Sequence, residues 1–134
     1  MDPEPSQSLT LNQCIENIAQ KLAAANLHYG HGATDSHSEA LWIASKQLGL
    51  NPTEALDRLD HAINAEQVQQ ALQVTNQRIA TRKPLAYILG EAWLMGVPFY
   101  CSEQSIVSRS WIAELIVDGI LEPWLPADGK VLDL

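Results

Sequence analysis

The chain has 134 residues, 46% of them hydrophobic and 18% charged, with a formal net charge of −8 at pH 7. Those values describe one globular domain that buries roughly two-thirds of its unfolded surface; the acidic balance argues against a nucleic-acid-binding face and fits simple solubility first, or a basic partner. No apolar run reaches the ~20 residues needed to span a bilayer and the chain opens on no charged-then-apolar leader, so no membrane is expected and the expected place is the cytoplasm.

Residues 1–7 are polar and carry Pro3 and Pro5, and residues 1–9 read as a loose terminus. Thr10 and Gln13 have capping-box spacing, and Leu11, Cys14, Ile15, Ile18, Leu22 and Ala25 follow at helical spacing, which predicts an amphipathic helix ending near Asn26. The break at Asn26–Gly32 holds two glycines separated by His31, a pattern for positive φ, with Tyr29 expected to pack inward. Ser36 with Glu39 reads as a second capping box, opening a helix that carries Ala40, Leu41, Ile43, Ala44 and Leu48 inward and stops at Gly49. Asn51–Glu54, with Pro at the first helical position, starts a short helix to about His61.

Asn64 and Gln67 begin the fourth helix, with Val68, Leu72, Thr75 and Ile79 along one face. It ends at Thr81-Arg82-Lys83 before Pro84. Residues 10–90 therefore predict a helical bundle. Pro84–Leu89 suits one more short helix. Trp93–Met95 and Val97–Cys101 suit two strands turning at Gly96-Val97-Pro98, and Ser105–Val107 is a candidate third. Ser110 caps a last helix with Ile112, Leu115, Ile116 and Ile120 inward. After a Pro123/Pro126/Gly129 linker, Lys130-Val131-Leu132-Asp133-Leu134 reads as the opening strand of an α/β domain.

Cys14 and Cys101 lie far apart without a pairing motif. His28, His31 and His37 share a loop region without cysteine support. No disulfide and no metal site is expected.

Several blocks together carry a resemblance: Ala24-Ala25-Asn26-Leu27, Tyr29-Gly30-His31-Gly32, Pro84-Leu85-Ala86-Tyr87, Trp93, Gly96, Phe99-Tyr100, Val107, Arg109-Ser110 and Ile112-Ala113-Glu114-Leu115-Ile116. On these the chain resembles the N-terminal part of the protein-(glutamine-N5) methyltransferases, closest to the branch that modifies a large-subunit ribosomal protein. The release-factor branch and a stand-alone helical interaction module are the alternatives.

The resemblance implies a mainly α fold. A substrate-recognition bundle (10–90) is followed by a β-hairpin and linker (91–110), then a helix and the first strand (111–134) of a catalytic domain that binds S-adenosylmethionine. The glycine-rich loop and the Asn-Pro-Pro-Tyr motif of that family are not in these residues. The chain by itself is thus expected to hold no catalytic residue, bind no cofactor and transfer no methyl group.

By the same resemblance Arg109 and Asp133 are candidates to lie by the cofactor. Tyr29, His31, Phe99 and Tyr100 are candidates to touch substrate, a turn packed on the bundle and a strand buried in the core being the other readings. Tyr87 is expected to hold the hairpin on the bundle. The implied partner is a basic ribosomal protein, with self-association through the second half also expected. Ser108 and Trp111 stand where that family has prolines, which leaves the conformation around Arg109 open.

Overall fold

The structure, a computed structural model, describes residues 8–30 and 32–132. Residues 1–7, His31, Asp133 and Leu134 lie outside them, so the expectations for His31 and Asp133 and most of the expected loose terminus fall there. Strand β1 (Leu9–Thr10) leads into α1 (Leu11–Ala24), then α2 (Ser36–Gln47), α3 (Pro52–Leu56), β2 (Ala62–Ile63) and α4 (Ala65–Thr81). Helix α5 (Leu85–Leu89), strands β3 (Glu91–Leu94) and β4 (Val97–Tyr100), α6 (Trp111–Val117) and a 3-10 turn at Glu122–Trp124 complete it. It is a mainly α fold with two antiparallel strand pairs, β1–β2 and β3–β4.

Three helices start on reciprocal caps. Gln13 N donates to Thr10 Oγ1 at 3.2 Å and Thr10 N donates to Gln13 Oε1 at 3.0 Å. Asn51/Glu54 and Asn64/Gln67 repeat the arrangement. Each satisfies backbone donors that helix starts otherwise leave open, and each contributes about 1 kcal/mol. Leu11, Cys14, Ile15, Ile18 and Leu22 of α1 are buried against α2 and α4. Full burial of each large aliphatic side chain contributes about 1.5–3 kcal/mol. The short strand pair, Leu9↔Ile63 and Thr10↔Ala62, closes the α1–α3 segment on itself.

The second helix departs from expectation in its cap. Asp35, not Ser36, is the N-cap: its carboxylate accepts from Ser38 N at 2.7 Å, and those bonds hold the Asp35 pKa below the usual carboxylate range. Glu39 is therefore free to turn inward, where it takes part in an ion pair instead of a capping box. Trp42 joins Ile43 and Ala44 in the core, while Leu41 is only partly buried. Helix α3 also ends sooner than His61, because Asp57 caps it and a turn follows.

Helix α4 presents Ala71, Thr75 and Arg78 to the core, with Val68, Leu72 and Ile79 only partly covered. The buried face is thus rotated from the one that aliphatic spacing marks. An arginine occupies its centre.

After Gly90 the reading needs four corrections. The hairpin turns at Met95-Gly96, both at positive φ (49° and 77°), with Leu94↔Val97 as the closing pair, so Val97 and Pro98 belong to β4. That is the two-residue geometry whose twist matches the strands. Ser105–Val107 forms no strand; Ser102–Ser105 is a turn instead, closed by Ser105 Oγ donating to Ser102 O at 3.1 Å. Helix α6 does begin at Ser110, whose hydroxyl accepts from Ile112 N at 3.2 Å, but Ile112, Leu115, Ile116 and Ile120 are all exposed, not inward. Val131 and Leu132 are exposed and outside any strand, so no opening strand is formed among the described residues.

Candidate functional site

Two arginines at the end of α4, Arg78 in its last turn and Arg82 at its C-cap, place the loop between α1 and α2. Arg78 is 2% exposed and Glu39 4%. The Arg78 guanidinium donates through Nε to Glu39 Oε2 (3.0 Å) and through Nη2 to Glu39 Oε1 (3.0 Å). The same Nη2 donates to the His28 carbonyl at 2.9 Å. Arg82 donates to the Asn26 carbonyl at 2.7 Å and the Ala25 carbonyl at 3.3 Å, covering the end of α1. A planar fork with five donors suits one side chain serving a carboxylate and a carbonyl together. The 26–30 segment is thereby fixed at the bundle surface.

Tyr29 sits in that segment, half-buried, and its hydroxyl is enclosed without a hydrogen-bond partner among the described residues. Burial pushes its pKa up, the Glu39 charge adds to this and Arg78 opposes it. The ring packs against the core, as expected of a turn held on the bundle.

The hairpin is fastened to α2 by one carboxylate. Glu91 Oε1 accepts from Trp42 Nε1 and Trp93 Nε1, both at 3.3 Å, and Oε2 pairs with Lys46 Nζ. Burial alone would raise the Glu91 pKa; the hydrogen bonds from Lys46, Trp42 and Trp93 outweigh it and leave the group below the usual carboxylate range. From the other side, Tyr87 Oη of α5 donates to Ser105 O at 2.9 Å, and buried Cys101 and Val107 anchor the loop after β4. Tyr87 thus holds this loop, and through it the hairpin, on the bundle.

These two attachments enclose an open groove of about 590 Å³ where bundle, hairpin and α6 meet. Gly30 and Gly32 form one wall, Trp93 and Leu94 another, and Val107–Trp111 with Glu114 the third. Gly32 has φ +92°, and a Cβ there would stand 3.4 Å from the Trp42 ring, so only glycine lets this backbone lie on that ring without strain. Trp111 occupies the first position of α6, where a proline is equally at home, and its ring is 84% exposed. The helix keeps its start, and a large aromatic face is added to the groove. A second groove of about 430 Å³, between α1 and α4, contains none of the candidate residues.

Of the candidates, Arg109 lies in the groove between Ser108 and Ser110. Phe99 and Tyr100 do not line it. They stand on exposed β4, Tyr100 at 85% exposure, and are not core residues either. The core-strand reading fails because no further layer of the described chain covers that face. Among the described residues no cluster of His, Cys, Asp and Glu has the geometry of a metal site, and both cysteines are free thiols, Cys14 with its pKa raised by burial. Four residues that shape the site escape a reading by periodicity: Glu39, Trp42, Arg78 and Glu91. The available signal was two opposite charges, Glu39 and Arg78, each lying within the apolar face of its helix.

The PrmC N-terminal domain family matches residues 13–90, more than half of the chain. The chain belongs to that family. Among its relatives is a "ribosomal protein uL3 glutamine methyltransferase" of Burkholderia pseudomallei, 33% identical over 138 residues that include 100% of this chain and 44% of the relative. Proteins of the same name from Bordetella pertussis (35% identical, 87% of this chain, 39% of the relative) and Bradyrhizobium diazoefficiens (34%, 81% and 34%) are similar as well. The chain spans less than half the length of these relatives. The PrmC N-terminal match stops at Gly90, between α5 and β3, so the groove combines one wall from inside it with two from beyond.

Proposed function

We propose that this chain is the N-terminal part of a cytoplasmic, S-adenosylmethionine-dependent protein-(glutamine-N5) methyltransferase acting on ribosomal protein uL3, and that it recognises that substrate. In this reading residues 10–90 are the recognition bundle, 91–110 the connecting hairpin, and 111–134 the entry to the catalytic domain. The observation that carries it is the similarity of 81–100% of the chain to three relatives of that name. The groove supports it physically: a concave site with a few polar groups, Arg109, Ser110 and Glu114, between aromatic walls suits a peptide segment.

A glutamine amide nitrogen is a poor nucleophile, so the reaction depends on placing it and excluding water around it. Arg109 and the two tryptophan rings are the groups here able to hold a substrate strand. They do not fit S-adenosylmethionine by themselves. Among the described residues the groove has no glycine-rich turn between a strand and a helix to bring backbone amides up to the cofactor. The isolated chain is accordingly expected to bind no S-adenosylmethionine, and micromolar binding in calorimetry would overturn that.

The deciding experiment expresses the complete reading frame and incubates it with labelled S-adenosylmethionine and either uL3 or a release factor. Label on a uL3 glutamine, located by mass spectrometry, supports the proposal. Label on the release factor alone assigns the chain to the sister branch, and binding without transfer leaves an interaction module. Because the chain carries −8 and the substrate is basic, association with uL3 should slow as salt rises, exposed charges being screened beyond ~8–10 Å.

A further inference from the structure

We propose that Glu91 is a positioning residue for substrate recognition: held on α2 by Trp42 and Lys46, its carboxylate fixes the Trp93 ring as a wall of the groove. The proposal rests on the functional reading above and goes beyond it in naming what keeps the groove in shape.

The geometry is specific to this carboxylate. Glu91 and Trp93 are two residues apart on β3, so their side chains lie on one face of the strand. A single oxygen, Oε1, accepts from the indoles of both Trp93 and Trp42, at 3.3 Å each. Trp42 is buried, and its ring also lies beneath Gly32, which forms the opposite wall. The two walls come from segments about sixty residues apart in sequence, yet both are referred to one indole. Trp93 is only partly buried and has the indole N–H as its polar handle. Without its acceptor the ring has no bond to choose one rotamer, and the wall is lost as a fixed surface. Lys46 secures the other oxygen from an exposed position, where an ion pair contributes little by itself.

A displaced wall weakens contacts that a bound peptide makes equally in the ground state and the transition state. The loss therefore belongs in KM and not in kcat. In the complete enzyme with uL3, Glu91→Ala should raise KM about tenfold, the size expected for losing hydrogen bonds to a charged group, with kcat unchanged within about twofold. Glu91→Gln should recover most of the loss, since its amide oxygen keeps two lone pairs for the two indoles.

In the 134-residue chain, the indole N–H resonances of Trp42 and Trp93 should move in Glu91→Ala while that of Trp124 stays. Should Glu91→Ala fail to fold, Trp93→Phe removes only the donor and a ring edge, and should raise KM in the same way.

Unchanged KM in Glu91→Ala or Trp93→Phe would overturn the proposal, as would a fall in kcat at constant KM, or a Gln variant as impaired as Ala. Those results require a wild type that methylates uL3, so they leave the functional reading standing. A wild type that transfers nothing to uL3 removes both.

Discussion

Arg78 and Glu39 carry the largest single-residue consequence in the bundle. Both are almost fully withdrawn from water, so removing one leaves the other as an uncompensated buried charge. Arg78→Met should destabilise the chain by about 3–5 kcal/mol in urea unfolding. Adding Glu39→Leu to it should restore much of the loss, because an apolar pair no longer has a charge to desolvate, although the His28 carbonyl remains without its donor. Glu91 makes the corresponding prediction for pH. Its pKa in the folded chain is held below the unfolded value, so its stabilisation is complete above the ordinary carboxylate range and is lost as pH falls through the folded pKa. The stability difference between wild type and Glu91→Gln should accordingly shrink on acidification below about pH 4, followed by tryptophan fluorescence in denaturant at each pH. Glu39 and Arg78 are marked in the sequence only by falling within apolar helix faces, and Glu91 by nothing local: a charge reads as solvated surface unless its partner, 39 residues away in one case and 45 in the other, is already known to be near.

At the scale of the elements, helix starts were the most readable feature, because a cap is a contact between residues three apart and needs no tertiary information. Thr10/Gln13, Asn51/Glu54 and Asn64/Gln67 all form as their spacing predicts. Ser36/Glu39 fits the same pattern and does not form, since Asp35 caps one residue earlier and the core takes Glu39. The face of α4 is read only in part for a related reason: of Val68, Leu72, Thr75 and Ile79, Thr75 is buried as its spacing predicts, but the neighbours select the stripe that adds Ala71 and Arg78 and leave the three aliphatic residues half-covered. In the hairpin, the Gly96 signal located the turn to within a residue, while Met95 hid its type. Methionine at φ 49° is in a region where a Cβ costs about 1–2 kcal/mol. Met95→Asn should therefore stabilise the hairpin, asparagine tolerating that conformation better, and the cross-strand amides of β3 and β4 should exchange more slowly.

Over the whole molecule, apolar surface is distributed unevenly. The bundle buries its aliphatic face, whereas Val97, Phe99, Trp111, Ile112, Ile116, Ile120 and Trp124 are exposed, Trp124 at 81%. That asymmetry gives physical content to the expectation that the second half completes itself against another surface, a catalytic domain or a second copy. Hydrogen exchange on a dilute sample should show slow amides in α1 and α4 and fast ones after Glu91. Equal protection of both halves in a monomer would contradict this. The spacing of α6 predicts an inward face that the fold leaves exposed, because amphipathic spacing shows that a face is apolar without showing what covers it. The order of events during folding follows from the small β1–β2 ladder. Leu9 and Thr10 find their partners only in Ile63 and Ala62, and Arg78 must reach back to Glu39 and His28. For a helical protein these are distant contacts, and loop closure has to precede them. A chain emerging residue by residue can form α1 and α2 early. The bond from Arg78 to the His28 carbonyl, which fixes the segment leading into Tyr29, has to wait until α4 has been made and docked, so that wall of the groove is among the last features to be secured.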